Sequence, residues 1–124
     1  MDQRSATLET LENLLTEVLE EIRTLSISYW SVDECDEQKA AGARIVALCD
    51  VLPELYLELF KGKPKVTRDL DVKLNRLSNA ITGGSFQQSD REKDHSVISE
   101  MERHVMALTV EIRLQKSRLP IPLW

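Results

Sequence analysis

Residues 7–30, TLETLENLLTEVLEEIRTLSISYW, carry the pattern that decides the fold of this chain. Apolar side chains recur there at alternating steps of three and four residues, which is a heptad pattern held for three repeats. Glutamates occupy the other side of the same helix, and no glycine or proline interrupts it. We therefore predict one long amphipathic helix over 7–30, with an apolar stripe formed by Leu8, Leu11, Leu15, Val18, Ile22, Leu25 and Tyr29.

Three further stretches repeat this pattern and predict helices over 32–60, 67–82 and 90–117. Their apolar stripes are spaced like the first, so the four helices should pack nearly aligned. The stripes are Ala41, Ile45, Leu48, Leu52, Leu55 and Leu59 in the second helix, Leu70, Leu74, Leu77 and Ile81 in the third, and Ile98, Met101, Val105, Leu108 and Ile112 in the fourth.

The predicted helix starts rest on capping signals. A serine followed three residues later by a glutamate forms a capping box at 31–34 and again at 89–92. Thr67 can cap the third helix through its hydroxyl. Pro53 lacks a backbone donor and should kink or restart the second helix.

These elements predict an all-α protein, a four-helix and largely antiparallel bundle with coiled-coil-like packing. A chain of 124 residues suits one domain with one core. We assign the bundle to residues 1–118 and an extended apolar tail to 119–124, LPIPLW, because its two prolines disfavour a helix.

Charge divides the chain into two unlike halves. Residues 1–60 hold 13 acidic and 4 basic side chains, whereas residues 61–124 hold 8 acidic and 12 basic ones. Helices from the two halves can lie side by side and complement each other. The alternative is that the protein presents two surfaces of opposite sign.

The location predicted from the sequence is the cytoplasm. The first residues, MDQR, show no basic region followed by an apolar run, and no stretch reaches the length of a membrane span.

Cys35 and Cys49 fall 14 residues apart on the second predicted helix. This separation along the helix axis is too large for a disulfide between them, so both should be reduced thiols.

The acidic side chains allow one enzymatic alternative. Glu20 and Glu21 on the first helix, with Asp50 on the second, resemble the magnesium site of all-α nucleotide pyrophosphohydrolases, which use Glu-Glu-x-x-Glu followed by Glu-x-x-Asp. This resemblance implies a carboxylate- and Mg-dependent hydrolase of nucleotides. The chain departs from the pattern at Thr24 and Ala47, where the family has further carboxylates.

Residues 91–95, REKDH, resemble the Arg…His pair of some helical-bundle ribonucleases, although three residues intervene here instead of four to six. A zinc site needs more cysteine and histidine at close spacing than the chain offers. We therefore assign no catalytic residue, no metal ligand and no cofactor.

The basic cluster Lys61, Lys63, Lys65 and Arg68 supports a third reading, a nucleic-acid-associated regulator, because lysine and arginine supply most affinity for phosphates. No recognition motif and no interleaved aromatic residue accompanies the cluster, and the chain carries a net charge of −5. A solvated loop after a helix is the favoured interpretation.

The favoured function is therefore protein binding, by a small adaptor, chaperone or inhibitor that forms a homodimer. From 45 to 60, 12 of 16 residues are apolar, and a helix that is apolar nearly all round is normally buried nearly all round. A partner protein or a second copy would supply the cover. The residues predicted to bind it are Leu48, Leu52, Leu55, Tyr56, Leu59, Phe60 and Trp124.

Overall fold

The computed structural model describes residues 3–120, with side chains described from residue 7 onward. It contains the four predicted helices: α1 over Gln3–Trp30, α2 over Asp36–Leu59, α3 over Pro64–Thr82 and α4 over His95–Ser117. Over the described residues there is no strand. No helix within this range is long and apolar enough to cross a membrane.

The helices form a ring in which each one packs against two neighbours. Consecutive helices pack together, and α1 closes the ring by packing against α4. Two ion pairs set α1 antiparallel to α4, because Arg23 meets Glu102 at 3.0 Å while Glu12 meets Lys116 at 3.7 Å. The protein is thus an all-α four-helix bundle, as predicted.

The predicted stripes form the core. Leu15 and Ile22 of α1, Ile45 of α2, and Leu70 of α3 have no exposed surface, and the stripe of α4 is buried from Met101 to Ile112. The other stripe residues are either buried in the same core or half-buried and packed against it. Heptad spacing therefore identified the buried face of every helix correctly.

The predicted helix starts are wrong, because the capping residues have other partners. Instead of capping α2, the Ser31 hydroxyl donates to the Ile27 carbonyl, and Glu34 pairs with Arg91. As a result α2 begins at Asp36, and Cys35 at its N-cap makes no side-chain hydrogen bond. Helix α4 begins at His95, where the Asp94 carboxylate accepts the Ser96 N–H at 3.0 Å.

Two prolines also act differently from expectation. Pro64 starts α3, where a missing N–H costs nothing, so Thr67 lies inside the helix and its hydroxyl donates to the Pro64 carbonyl. Pro53 lies within α2, which continues unbroken from Asp36 to Leu59. The predicted restart at Pro53 is therefore wrong.

One end of the bundle, which we call the closed end, is filled by side chains around a buried arginine. The Arg91 guanidinium has no exposed surface and donates to Glu34 at 3.0 Å and to the carbonyls of Tyr29 and Val32 at 2.9 Å. It also lies over the Tyr29 ring, 3.8 Å from its centroid. Arg91 thereby joins the α1–α2 connection to the α3–α4 connection.

Candidate binding surfaces

Four of the residues predicted to bind a partner lie in the core of the bundle: Leu52, Tyr56, Leu59 and Phe60. Two more, Leu48 and Leu55, are half-buried and pack against that core. Trp124 lies outside the described residues. The apolar half of α2 is therefore covered largely by the protein's own helices.

Tyr56 illustrates how α3 provides this cover. Its ring is buried, and its hydroxyl donates to the Asp71 carboxylate of α3. Burial is the main reason why the pKa of Tyr56 lies far above its ordinary value, so the hydroxyl keeps its proton. A sequence pattern could not show this pairing, since the two residues lie on different helices.

A row of exposed apolar side chains runs along the outer face of α4. Met106 is 63% exposed, Val110 54% and Leu114 43%, and they follow one another at steps of four residues. We call these three residues the α4 stripe. Arg103 and Arg113 lie on the same outer side of the helix and are exposed. Arg103 pairs with Glu100 one turn earlier, and Arg113 has no ion pair with another described residue, so the border of the stripe carries a net positive charge.

A second surface, which we call the α1–α2 face, lies across the seam between these two helices. The ion pair between Arg44 and Glu21, at 2.6 Å, sets their register and places Leu14 at the height of Val51. Leu14 is 40% exposed and Val51 is half-buried. Glu17 and Glu54 are exposed on either side of Leu14, so this face is apolar with an acidic border.

The end of the bundle opposite Arg91 contains a groove of about 590 Å³, which we call the end groove. It lies where α1 begins and where α2 and α4 end. Four of its nine lining residues are leucines, and two lysines and one glutamate are among the others: Thr7, Leu8, Leu11, Glu58, Leu59, Lys61, Lys63, Leu119 and Pro120.

The basic cluster borders this groove. Lys61, Lys63, Lys65 and Arg68 are all exposed. None of the four takes part in an ion pair with another described residue. Among the described residues, therefore, no carboxylate forms an ion pair with these four positive charges.

The carboxylates of the magnesium-site alternative have arginine partners. Glu20 accepts from Arg23 at 3.1 Å, and Glu21 pairs with Arg44. Among residues 7–120, no group of three His, Cys, Asp or Glu side chains is placed to hold a metal ion. Asp50 is exposed on α2.

The arginine and the histidine of the ribonuclease resemblance lie in different environments. Arg91 is fully buried in the closed end, whereas His95 is exposed at the start of α4.

The two cysteine thiols also differ in burial. Cys35 is exposed, while burial raises the pKa of the Cys49 thiol to about 11, so this thiol stays protonated.

Comparison of the chain with protein-family models, with curated proteins and with solved structures finds no match.

Proposed function

We propose that this protein is a protein-binding module that associates with further copies of itself, and that the α4 stripe of one copy contacts the α1–α2 face of another. The observation that carries the proposal is the row formed by Met106, Val110 and Leu114. Protein surfaces normally expose large apolar side chains singly, whereas contiguous apolar patches mark interaction sites. Two free thiols also suit a reducing compartment such as the cytoplasm.

The spacing of the α4 stripe suits a helix as its counterpart. Residues at i, i+4 and i+8 form one ridge of a helix, and such a ridge packs into the groove between two other helices. The seam between α1 and α2 is a groove of this kind, with Leu14 beside it. The half-buried Leu48 and Leu55 lie along the same seam, so the proposal keeps part of the predicted 45–60 contact.

Charge complementarity favours a second copy of this chain as the partner. Helices α1 and α2 together carry ten acidic and four basic residues, whereas α3 and α4 carry five acidic and seven basic ones. Two α4 stripes facing each other would bring arginines together. The α1–α2 face instead offers Glu17 and Glu54 to Arg103 and Arg113, and opposite charges around an apolar centre favour the correct pairing.

This contact joins two unlike surfaces. Such heterologous contacts either close into a ring or extend into a chain, depending on the rotation between copies. The average mass in solution should consequently rise with concentration, and a homodimer is the smallest closed product.

Sedimentation equilibrium tests the proposal with a matched pair of valine variants. Val110→Glu places a charge in the α4 stripe and should leave the protein monomeric at micromolar concentrations where the parent chain associates. Val72→Glu is the control, because Val72 is exposed to a similar extent, 45%, on the outer face of α3. A parent chain that stays monomeric up to the highest soluble concentration would contradict self-association.

A charge exchange tests which faces meet. The double variant Arg103→Glu/Arg113→Glu and the double variant Glu17→Arg/Glu54→Arg should each fail to associate alone, since like charges would then border both contact surfaces. Mixed in equal amounts, they should associate again, because the acidic α4 of one meets the basic α1–α2 face of the other. Association in each separate sample, or none in the mixture, would refute this pairing.

A further inference from the structure

We infer that the end groove binds a single-chain amphiphile with an anionic head group, of the medium-chain fatty acid type. The groove differs from the α4 stripe in every residue, so this inference is independent of self-association. It rests on three observations: the volume of the groove, its leucine wall, and the two lysines at its border.

The shape and size of the groove suit a small ligand. Its volume of about 590 Å³ lies within the roughly 300–1,000 Å³ of typical small-molecule sites. Such sites combine a largely apolar wall with few polar groups that orient the ligand. Leu8, Leu11, Leu59 and Leu119 provide the apolar wall.

The polar groups of the groove favour an anion. Lys61 and Lys63 border it, and neither has an ion pair with a described residue. Glu58 is the one carboxylate among the lining residues, so the lysines outnumber it. Lys65 and Arg68 are exposed next in sequence, and they add positive potential near the same border.

A carboxylate with a hydrocarbon chain satisfies both parts of the site. Its head group would lie at Lys61 and Lys63, and its methylenes would cover leucine side chains that otherwise face water. A bare anion would leave the leucines uncovered, and a neutral hydrocarbon would leave the lysines unpaired. Each methylene that becomes buried should strengthen binding about fourfold.

The experiment measures displacement of a fluorescent fatty acid from the full-length chain, below the critical micelle concentration of each competitor. Decanoate should displace the probe, and octanoate should do so about fifteenfold less well because it has two methylenes fewer. Decyltrimethylammonium, with a similar chain and a positive head group, should not compete. Equal competition by the cationic amphiphile would overturn the inference.

Surface variants assign the binding to the end groove without disturbing the core. Lys61→Glu/Lys63→Glu should weaken decanoate binding at least about tenfold, equivalent to ~1.4 kcal/mol. Arg76→Glu/Lys93→Glu is the control, because it makes the same charge change at exposed residues that do not line the groove. Leu119→Ser should weaken binding through the apolar wall.

Three further results would overturn the inference. The first is decanoate binding that the Lys61→Glu/Lys63→Glu variant leaves unchanged. The second is the absence of binding to the full chain. The third is binding only to a chain that ends at Pro120, because the apolar residues 121–124 would then be the occupant of the groove.

Discussion

The two ends of this bundle are built from different side chains, and the difference separates an end filled by its own side chains from an end that contains a groove. At the closed end, aromatic residues surround the buried Arg91, and the 83–94 connection covers them. At the other end, leucines border the end groove, and the connection between α2 and α3 spans only residues 60–63. A turn of this length does not cover the helix ends, so a groove remains between the described residues there.

The closed end also shows how a long connection can be held in place. Gln87 adopts a left-handed φ of 63°, a conformation that costs a non-glycine residue roughly 1–2 kcal/mol. Its N–H donates to the Tyr29 hydroxyl at 2.9 Å, and the Phe86 ring lies 5.1 Å from the Tyr29 ring. The Asp94 N–H donates to the Trp30 carbonyl at 2.9 Å. The connection is therefore joined to α1 at several points.

The largest expected effect comes from Arg91→Met at the closed end. The variant leaves Glu34 nearly buried without its partner and removes donors from two carbonyls. Breaking a buried ion pair in this way should lower the free energy of unfolding by about 3–5 kcal/mol. Denaturant melts of the variant and of the parent chain measure this loss.

The double variant Arg91→Met/Glu34→Gln provides the control for the stranded charge. It should recover part of the loss, because glutamine carries no charge that needs a partner. A loss below about 1 kcal/mol for Arg91→Met alone would show that the arginine does not hold the closed end together.

A second prediction compares two leucines of the same α1 stripe. Leu15 is fully buried in the middle of the core, whereas Leu8 is half-buried and lines the end groove. Leu15→Ala should cost roughly 2–5 kcal/mol because it creates a cavity. Leu8→Ala should cost about 1 kcal/mol, since its side chain already faces an open space. Glu17→Ala, on the exposed side, should cost under about 0.5 kcal/mol.

Denaturant melts of the three α1 variants measure these differences. Equal losses for Leu15→Ala and Glu17→Ala would mean that the register of α1 is wrong. A loss for Leu8→Ala as large as that for Leu15→Ala would mean that the end groove is closed in solution.

The third prediction concerns Gly42, where α2 approaches Tyr29 at the closed end. A Cβ added at Gly42 would lie 3.2 Å from Tyr29 Cε2. The Tyr29 ring has little room to move, because Arg91 and Phe86 pack on it. We therefore expect Gly42→Ala to lower the free energy of unfolding by about 1 kcal/mol in total. This holds even though alanine by itself stabilises a helix by a similar amount relative to glycine.

The exposed Ala43 next to it provides the control, since Ala43→Gly reports the helix preference alone. It should cost about 0.5–1 kcal/mol. A Gly42→Ala variant that is more stable than the parent chain in thermal melts would show that the closed end tolerates an extra methyl group.

The amino-acid sequence by itself determined the number of helices, their C-terminal ends to within a residue, and the face of each that is buried. Stripes such as Leu70 to Ile81 are buried as their spacing predicted. This succeeded because helix periodicity is local: residues three and four apart share a face whatever the helix packs against.

Only the tertiary structure decided which apolar residues remain outside and which polar residues become buried. Met106 and Leu52 are both apolar helical residues, yet the first is exposed and the second is covered by neighbouring helices. Arg91 lies within the predicted capping box at 89–92 but is buried by contacts with Glu34 and Tyr29, which lie 57 and 62 residues earlier in the chain. Burial depends on such distant pairings, and hydrophobic spacing along a single helix contains no information about them.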